Sequence, residues 1–540
     1  MRIPSWVGLF VVFAPVIPTP RGVFAQELGF VSEGAKTRLP PAYYQRVQEN
    51  PDFFQIKNGW THRSDGKGLQ ASSLSGTLPV VLVLGLFADS PEPSVTHEDL
   101  QAALFDGPSE FGTVSGYFDE TSGGRLAMTG QTLPWVRTTV TLAQAAGGSY
   151  GLGDDAMTGA FLFELVAAVD ERFDFAFFDN DGLDGVPNSG DDDGFVDAVA
   201  FQFLEVSASC GGPGIWPHRS RLEFWNDGEP FVTSDGGADG GFIKVNDYTI
   251  QSAVDCGGMD VQKATTMAHE LGHVLGLPDL YDRSQGLLPE ERRWVVGCWD
   301  LMAAGAWGCG TSDREGWVRP THMGAWEKNR LGWLSGLEEV GGVLGQEFVL
   351  GPVQATEHAL KIPLENGFPP TFGEYLLIEY RTKEGFDEDL PASGVLIYHI
   401  DPKIESNRPC DGCQQTYMVE LLEADGNDTL RRNFLQGGNR GEAGDAWGTT
   451  SPARLSNNTY PSSRLTSGAP SPVTIYDISI EDGLAHITLS SKEVPRSRLG
   501  RPFFLSAGPG LSPEEVTYLD SRGNGNGQYD VGDLRAYLKR

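Results

Sequence analysis

Two histidines four residues apart, with an acid beside the first, narrow this chain more than any other feature: His269, Glu270 and His273 in TTMAHELGHVLGLPD. Met267, Leu271, Val274 and Leu275 form an apolar stripe at helical spacing, so Thr265–Leu277 is expected to be a helix with one face buried. Residues at i and i+4 share a helix face. Two imidazoles placed there can hold one zinc ion, and the Glu beside the first can reach water at the metal. That arrangement suits hydrolysis: zinc activates water and polarises a carbonyl, while Glu270 takes the proton as general base and returns it to the leaving amine. Gly276 can adopt a positive φ, ending the helix and doubling the chain back so that Asp279 offers a third ligand. With nine His and 73 acidic residues in 540, a His-acid-x-x-His arises by chance about 0.02 times. The structural alternative is a buried helix whose histidines are satisfied by neighbours.

Charge removes several other classes of function. Against 73 Asp and Glu stand 40 Lys and Arg, a formal net charge of −33, and no basic run exceeds a pair. Nucleic acid and anionic lipid are therefore not expected partners. Hydrophobic residues make up 40% of the chain, enough to bury real cores. At the N-terminus, Arg2, the apolar stretch Trp6–Ile17 and the small-residue site Val23, Phe24, Ala25 read as an export signal covering residues 1–25. The apolar stretch is too short to span a bilayer and holds Pro15. The expectation is a secreted, extracellular protein with no membrane span.

In an exported chain the six cysteines point to disulfides, with 15 connectivities open. Local spacing favours Cys298 with Cys309, Cys410 with Cys413, and Cys210 with Cys256 as the remainder. Residues 26–76 are polar and irregular, as expected of a leader or propeptide. Thr77–Asp89 contains a continuous apolar run of strand length and should open a compact catalytic domain over 77–340. From 341 to 490 short alternating strands separated by turns read as an all-β sandwich domain. A linker over 491–510 leads to a module at 511–540. The whole is expected as an α/β (α+β) domain followed by β structure and a small EF-hand-like unit.

Two acidic segments suggest Ca2+, a hard cation that needs converging oxygen ligands on a sharply turning backbone. In the first, Asp179, Asp181, Asp184, Asp191, Asp193 and Asp197 alternate with glycines. An ordinary EF-hand register through Gly194 would put Ala200 where the bidentate Glu belongs, so another loop type is expected. In the second, Asp520, Asn524, Asn526, Asp530 and Asp533 precede a helix that begins near Val531. A merely solvated acidic loop is the alternative for each.

The motif HELGHVLGLPDLYD resembles the metal site of the immune inhibitor A-like family, secreted bacterial zinc peptidases of the metzincin type. Residues 297–307, GCWDLMAAGAW, are similar to that family's methionine turn, in which Met302 would pack beneath the metal, and GEYLLIEYR with GVLIYHID is similar to its β region. The resemblance runs over roughly residues 77–490. It implies a metzincin-like catalytic domain, Zn2+ as catalytic cofactor, structural Ca2+, and protein or peptide substrates cleaved as by a metalloendopeptidase. The C-terminal segment looks like half of a dockerin-type calcium loop, which would imply a cell-surface or scaffold partner. Many metzincins place a Tyr near the methionine turn, yet none occurs between Tyr281 and Tyr375. His322 is the nearest polar residue there and reads as structural. The rival from another class is a non-enzymatic, calcium-stabilised adhesion or binding protein with a relic zinc site.

Overall fold

Every second side chain of the apolar run at residues 76–86 faces the opposite layer, and both faces are buried. This is strand β1 (Gly76–Leu86), the centre of a six-stranded mixed sheet. Leu78, Val80, Leu82 and Leu84 join one core cluster and Val81 and Val83 another, as expected of a parallel strand covered on both sides. The remaining strands are β2 (Leu126–Thr132), β3 (Val136–Arg137), β4 (Val199–Phe203), β5 (His218–Arg221) and β8 (Asp247–Ser252), with a separate ribbon of β6 (Phe231–Gly236) and β7 (Phe242–Val245). The order is β2-β1-β4-β8-β5, with β3 also on β1. All pairings are parallel except β5 against β8.

One face of the sheet is covered by the helix Thr158–Asp170 through Phe161, Leu162 and Leu165, and the other by the helix Ala264–Val274 through Met267 and Leu271. A Cβ at Gly85 of β1 would lie 2.5 Å from Phe161 Cζ, so the missing side chain lets helix and sheet approach closely. The computed structural model describes residues 41–50, 53–54, 73–282, 292–307, 319–365, 373–407, 415–449, 454–504 and 510–539. The expected export signal, Cys309, Cys410 and Cys413 lie outside these residues. Among the described residues no helix is long and apolar enough to cross a membrane.

The second half of the chain contributes two more sheets. Strands β9 (Gly336–Glu339), β11 (His358–Pro363), β12 (Tyr375–Arg381), β13 (Gly394–Ile400) and β14 (Val419–Leu421) form one; β10 (Gln346–Leu350), β15 (Thr474–Glu481) and β16 (Leu484–Ser490) form the other. Leu360, Ile378 and Ile397 from the first share a core with Phe348, Ile475 and Ile487 from the second. The molecule is thus a mixed α/β structure with several sheets. Its β region is joined to the six-stranded sheet by polar ties. Arg125, just before β2, holds Glu357 in a two-pronged pair at 2.5 and 2.6 Å. Fully buried Arg381 of β12 grips Asp387 and Glu379, and its Nη1 donates to the Trp299 carbonyl at 3.2 Å.

Two terminal segments are more ordered than their composition suggests. The helix Pro41–Glu49 lies within the polar segment 26–76. Tyr43, Phe53 and Phe54 are buried against Leu152, Trp216, Phe224 and Trp225, and Ser220 Oγ of β5 donates to the Phe53 carbonyl at 2.6 Å. At the other end the helices Pro513–Ser521 and Val531–Leu538 pack through Tyr518, Leu519 and Tyr537 against Val494, Leu499 and Tyr476. Arg522 lies over the Tyr476 ring, 3.8 Å from its centroid. Cys210 and Cys256 are bridged, with Cα atoms 5.2 Å apart. Cys298 is also disulfide-bonded.

Candidate active site

The helix carrying the histidine pair runs Ala264–Val274, three residues shorter at its C-terminal end than the apolar pattern suggests. Gly276 ends it: at φ +78° it lets Gly276 N bond the His273 carbonyl and Leu277 N the Gly272 carbonyl. The reversal places the Leu277 carbonyl beside His273 and carries Asp279 back over the helix. His269 and His273 are both buried, with ring centroids 4.8 Å apart and planes at 86°.

Each imidazole is fixed by its inner nitrogen. His269 Nδ1 bonds the Leu301 carbonyl at 3.0 Å and His273 Nδ1 the Leu277 carbonyl at 2.6 Å. A carbonyl can only accept, so both protons sit on Nδ1 and both Nε2 atoms present lone pairs outward. These Nε2 atoms converge on Asp279 Oδ1, at 3.2 Å from His269 and 3.4 Å from His273. Three electron-pair donors facing one another repel unless a cation lies between them. With metal–ligand bonds of about 2.05 Å, the edge of a tetrahedral zinc site is about 3.3 Å, which these separations match. His269, His273 and Asp279 therefore fit zinc, with a fourth position left for water or substrate. Burial drives His273 down to about 4, with Arg219's charge adding to it, which keeps the ring in its ligand form. In His269 burial is outweighed by the Asp279 carboxylate.

Glu270 lies on the same helix with its Oε2 buried and free of hydrogen bonds. Arg219 of β5 faces the site: its Nη1 is 3.9 Å from Glu270 Oε2 and its Nη2 is 3.7 Å from Asp279 Oδ2. Motif reading misses Arg219, because it is 51 residues from Glu270 in sequence and comes near only through the antiparallel pairing of β5 with β8. Next to it, His218 bonds the Trp216 carbonyl at 2.7 Å and the Tyr248 hydroxyl at 3.1 Å, and burial lowers it to about 4. It is a neutral structural histidine behind the cleft.

The methionine of GCWDLM lies against the helix that carries the two histidines. A Cβ at Gly272 would sit 2.7 Å from Met302 Sδ, so the glycine inside HELGH makes room for a fully buried Met302. The same turn supplies the Leu301 carbonyl to His269 and the Met302 carbonyl to Leu280 N. His322 belongs elsewhere. Its Nε2 meets Glu120 at 2.7 Å, its Nδ1 meets Lys328 at 3.3 Å, and its amide donates to Asp387.

The first acidic loop divides in two. Asp179, Asp181 and Asp197 are buried and bring one carboxylate oxygen each to within 4.8 Å of the others. Burial, then the charges of Asp192, Asp193 and Asp181, push Asp179 up to about 8. Asp184, Asp191 and Asp193 fall outside this trio and accept backbone amides of Val186, Leu183 and Phe195 instead. In the C-terminal loop Asp520 accepts the amides of Asn526 and Gly527, Asp530 takes Asn524 and Asn526 side chains, and Asp533 accepts Asn524 and Asp530 amides.

Residues 97–334 match the family described as immune inhibitor A peptidase M6, catalytic domain. The pre-pro-metalloprotease PrtV of Vibrio cholerae serotype O1 is 29% identical over 225 residues, 40% of this chain and 23% of that protein. Immune inhibitor A of Bacillus thuringiensis subsp. alesti is 31% identical over 222 residues, 38% of this chain and 30% of that protein. The aligned part thus spans less than a third of either relative. The residues 97–334 that match this family's catalytic domain contain His269, Glu270, His273 and Asp279.

Proposed function

We propose that this protein is a secreted zinc endopeptidase that cleaves peptide bonds in proteins, with His269, His273 and Asp279 as zinc ligands and Glu270 as general base. The observation that carries this reading is the convergence of the two Nε2 atoms on Asp279 Oδ1 beside a buried Glu270 oxygen that accepts no hydrogen bond. Zinc held there supplies Lewis acidity toward the scissile carbonyl and makes water more acidic. The rest falls to the chain. Glu270 Oε2 takes a proton from the attacking water and returns it to the leaving nitrogen. Arg219 keeps a positive charge beside the Glu270 and Asp279 carboxylates and holds both toward the cleft. The Leu301 and Leu277 carbonyls keep the imidazoles in the ligating tautomer.

The relative from Vibrio is named as a pre-pro-metalloprotease. By analogy we read residues 1–25 as an export signal and 26–76 as a pro-segment, docked through Phe53 and Phe54. Residues 341–490 are read as a β-sandwich. We assign Ca2+ to the buried trio Asp179, Asp181 and Asp197, with Asp184, Asp191 and Asp193 shaping the loop around it. The C-terminal loop of Asp520, Asn524, Asn526, Asp530 and Asp533 is assigned a second Ca2+ in an EF-hand-like, dockerin-like module whose partner would be a cell-surface or scaffold protein. No observation favours the relic-site adhesion protein, since Glu270 and all three ligands are in place.

The test is cleavage of unfolded casein by the mature-length protein with and without a zinc chelator. Cleavage that stops with the chelator and returns on adding zinc is the expected result. Cleavage that persists in metal-stripped protein, or none from protein that holds one zinc per chain, overturns the proposal.

A further inference from the structure

A third group of carboxylates lies in the β region, outside the zinc site and the first acidic loop. Glu423 and Asp445 are buried, Asp425 is exposed, and one oxygen of each lies within 4.8 Å of the others. Gly444 allows the approach, since a Cβ there would lie 2.2 Å from Asp425 Oδ2. Asp445 is fully buried, and while its Oδ2 accepts Trp299 Nε1 and the Glu442 amide, both at 2.9 Å, its Oδ1 has no hydrogen-bond partner. Among the described residues no lysine or arginine ion-pairs with any of the three; Arg431 in the same loop is taken by Glu420. An orphaned oxygen on a fully buried carboxylate carries an uncompensated desolvation cost, and two further carboxylates beside it raise that cost. Burial, reinforced by the charge of Asp445, pushes Glu423 up to about 7.

We propose that Glu423, Asp425 and Asp445 form a calcium site that clamps the 423–445 loop onto the methionine turn. All the donors are oxygens, with no His or Cys among them, which selects a hard cation over zinc. The clamp reaches the catalytic centre through short links. Asp445 holds Trp299, the Arg440 carbonyl accepts the Cys298 amide, and the Leu430 carbonyl accepts the Val295 amide. Two residues beyond Trp299 is Leu301, whose carbonyl fixes His269. A cation at this site therefore stiffens the turn on which one zinc ligand depends.

The experiment is equilibrium dialysis of radioactive calcium against the full-length, zinc-loaded chain, comparing wild type with Asp425→Ala and Glu423→Gln, and with Asp181→Asn as the marker for the first acidic loop. Asp425 is exposed, so its variant should keep the fold, as far-UV circular dichroism would verify. One calcium fewer per chain in both variants, or affinity lowered at least tenfold at one site, is expected, and the loss should add to that of Asp181→Asn. Zinc should also leave the Asp425→Ala variant faster on chelator challenge. An unchanged calcium count and unchanged affinities in both variants overturn the site, whatever becomes of the peptidase assignment.

Discussion

His269 and His273 suit the ligand role proposed for them because their inner nitrogens are already committed to backbone carbonyls, and Asp279 reaches them because Gly276 turns the chain. This part of the site is local, with Asp279 ten positions beyond His269, and so it is legible in the sequence. Arg219 is not legible, since nothing around it in WPHRSR marks it until β5 pairs with β8. Two outcomes belong to this scale. Asp279→Ala should weaken zinc binding by at least tenfold to a hundredfold, measured by competition with a chelating dye, because the two imidazoles lose the anionic third donor. Gly272→Ala should destabilise the protein by about 1–3 kcal/mol in urea unfolding, through overpacking against Met302. Adding Met302→Ala should recover part of that loss, whereas equal or greater loss in the double variant would show that Met302 is not the obstacle.

Among the elements, β1 and the helix Ala264–Val274 are legible because burial on both faces and a helical apolar stripe leave strong periodic signals. The helix Pro41–Glu49 is hidden, because its contacts with Phe224 and Trp225 come from distant parts of the chain. The β region also rests on buried charge. Removing Arg381 leaves Asp387 and Glu379 without their cation in a buried site, so Arg381→Ala should cost about 3–5 kcal/mol in denaturant unfolding. The Arg125–Glu357 tie predicts a pH effect. Hydrogen bonding to Arg125 brings Glu357 down to about 2 against the opposing effect of burial. A carboxyl depressed when folded stabilises above its unfolded value and loses that stability as the pH falls toward 2. Glu357→Gln should therefore be less stable than wild type at pH 7, with the difference shrinking as pH drops from about 4.5 to 2. A constant gap across that range would contradict the assignment.

At the scale of the whole molecule, three functional ideas meet in one chain of net charge −33: a zinc cleft, acidic clusters suited to calcium, and termini folded back onto the body. Composition shows the acidic excess but not its division. Only the fold separates Asp179, Asp181 and Asp197, which converge in the interior, from Asp184 and Asp191, which serve turns. Nor does the Ser, Pro and Arg-rich stretch before residue 511 show that Tyr518 and Tyr537 pack beside Tyr476. A calcium-selective chelator should lower the melting temperature by several degrees while zinc content stays constant, since each cation lost leaves like charges confined together.

The most direct test of the central claim is the rate at which Glu270→Gln cleaves an unfolded protein when its zinc content is matched to wild type. Full zinc occupancy with the rate reduced by about 10²–10⁴ is predicted, because the change removes the proton acceptor and leaves the ligands. Full occupancy with an undiminished rate would contradict it.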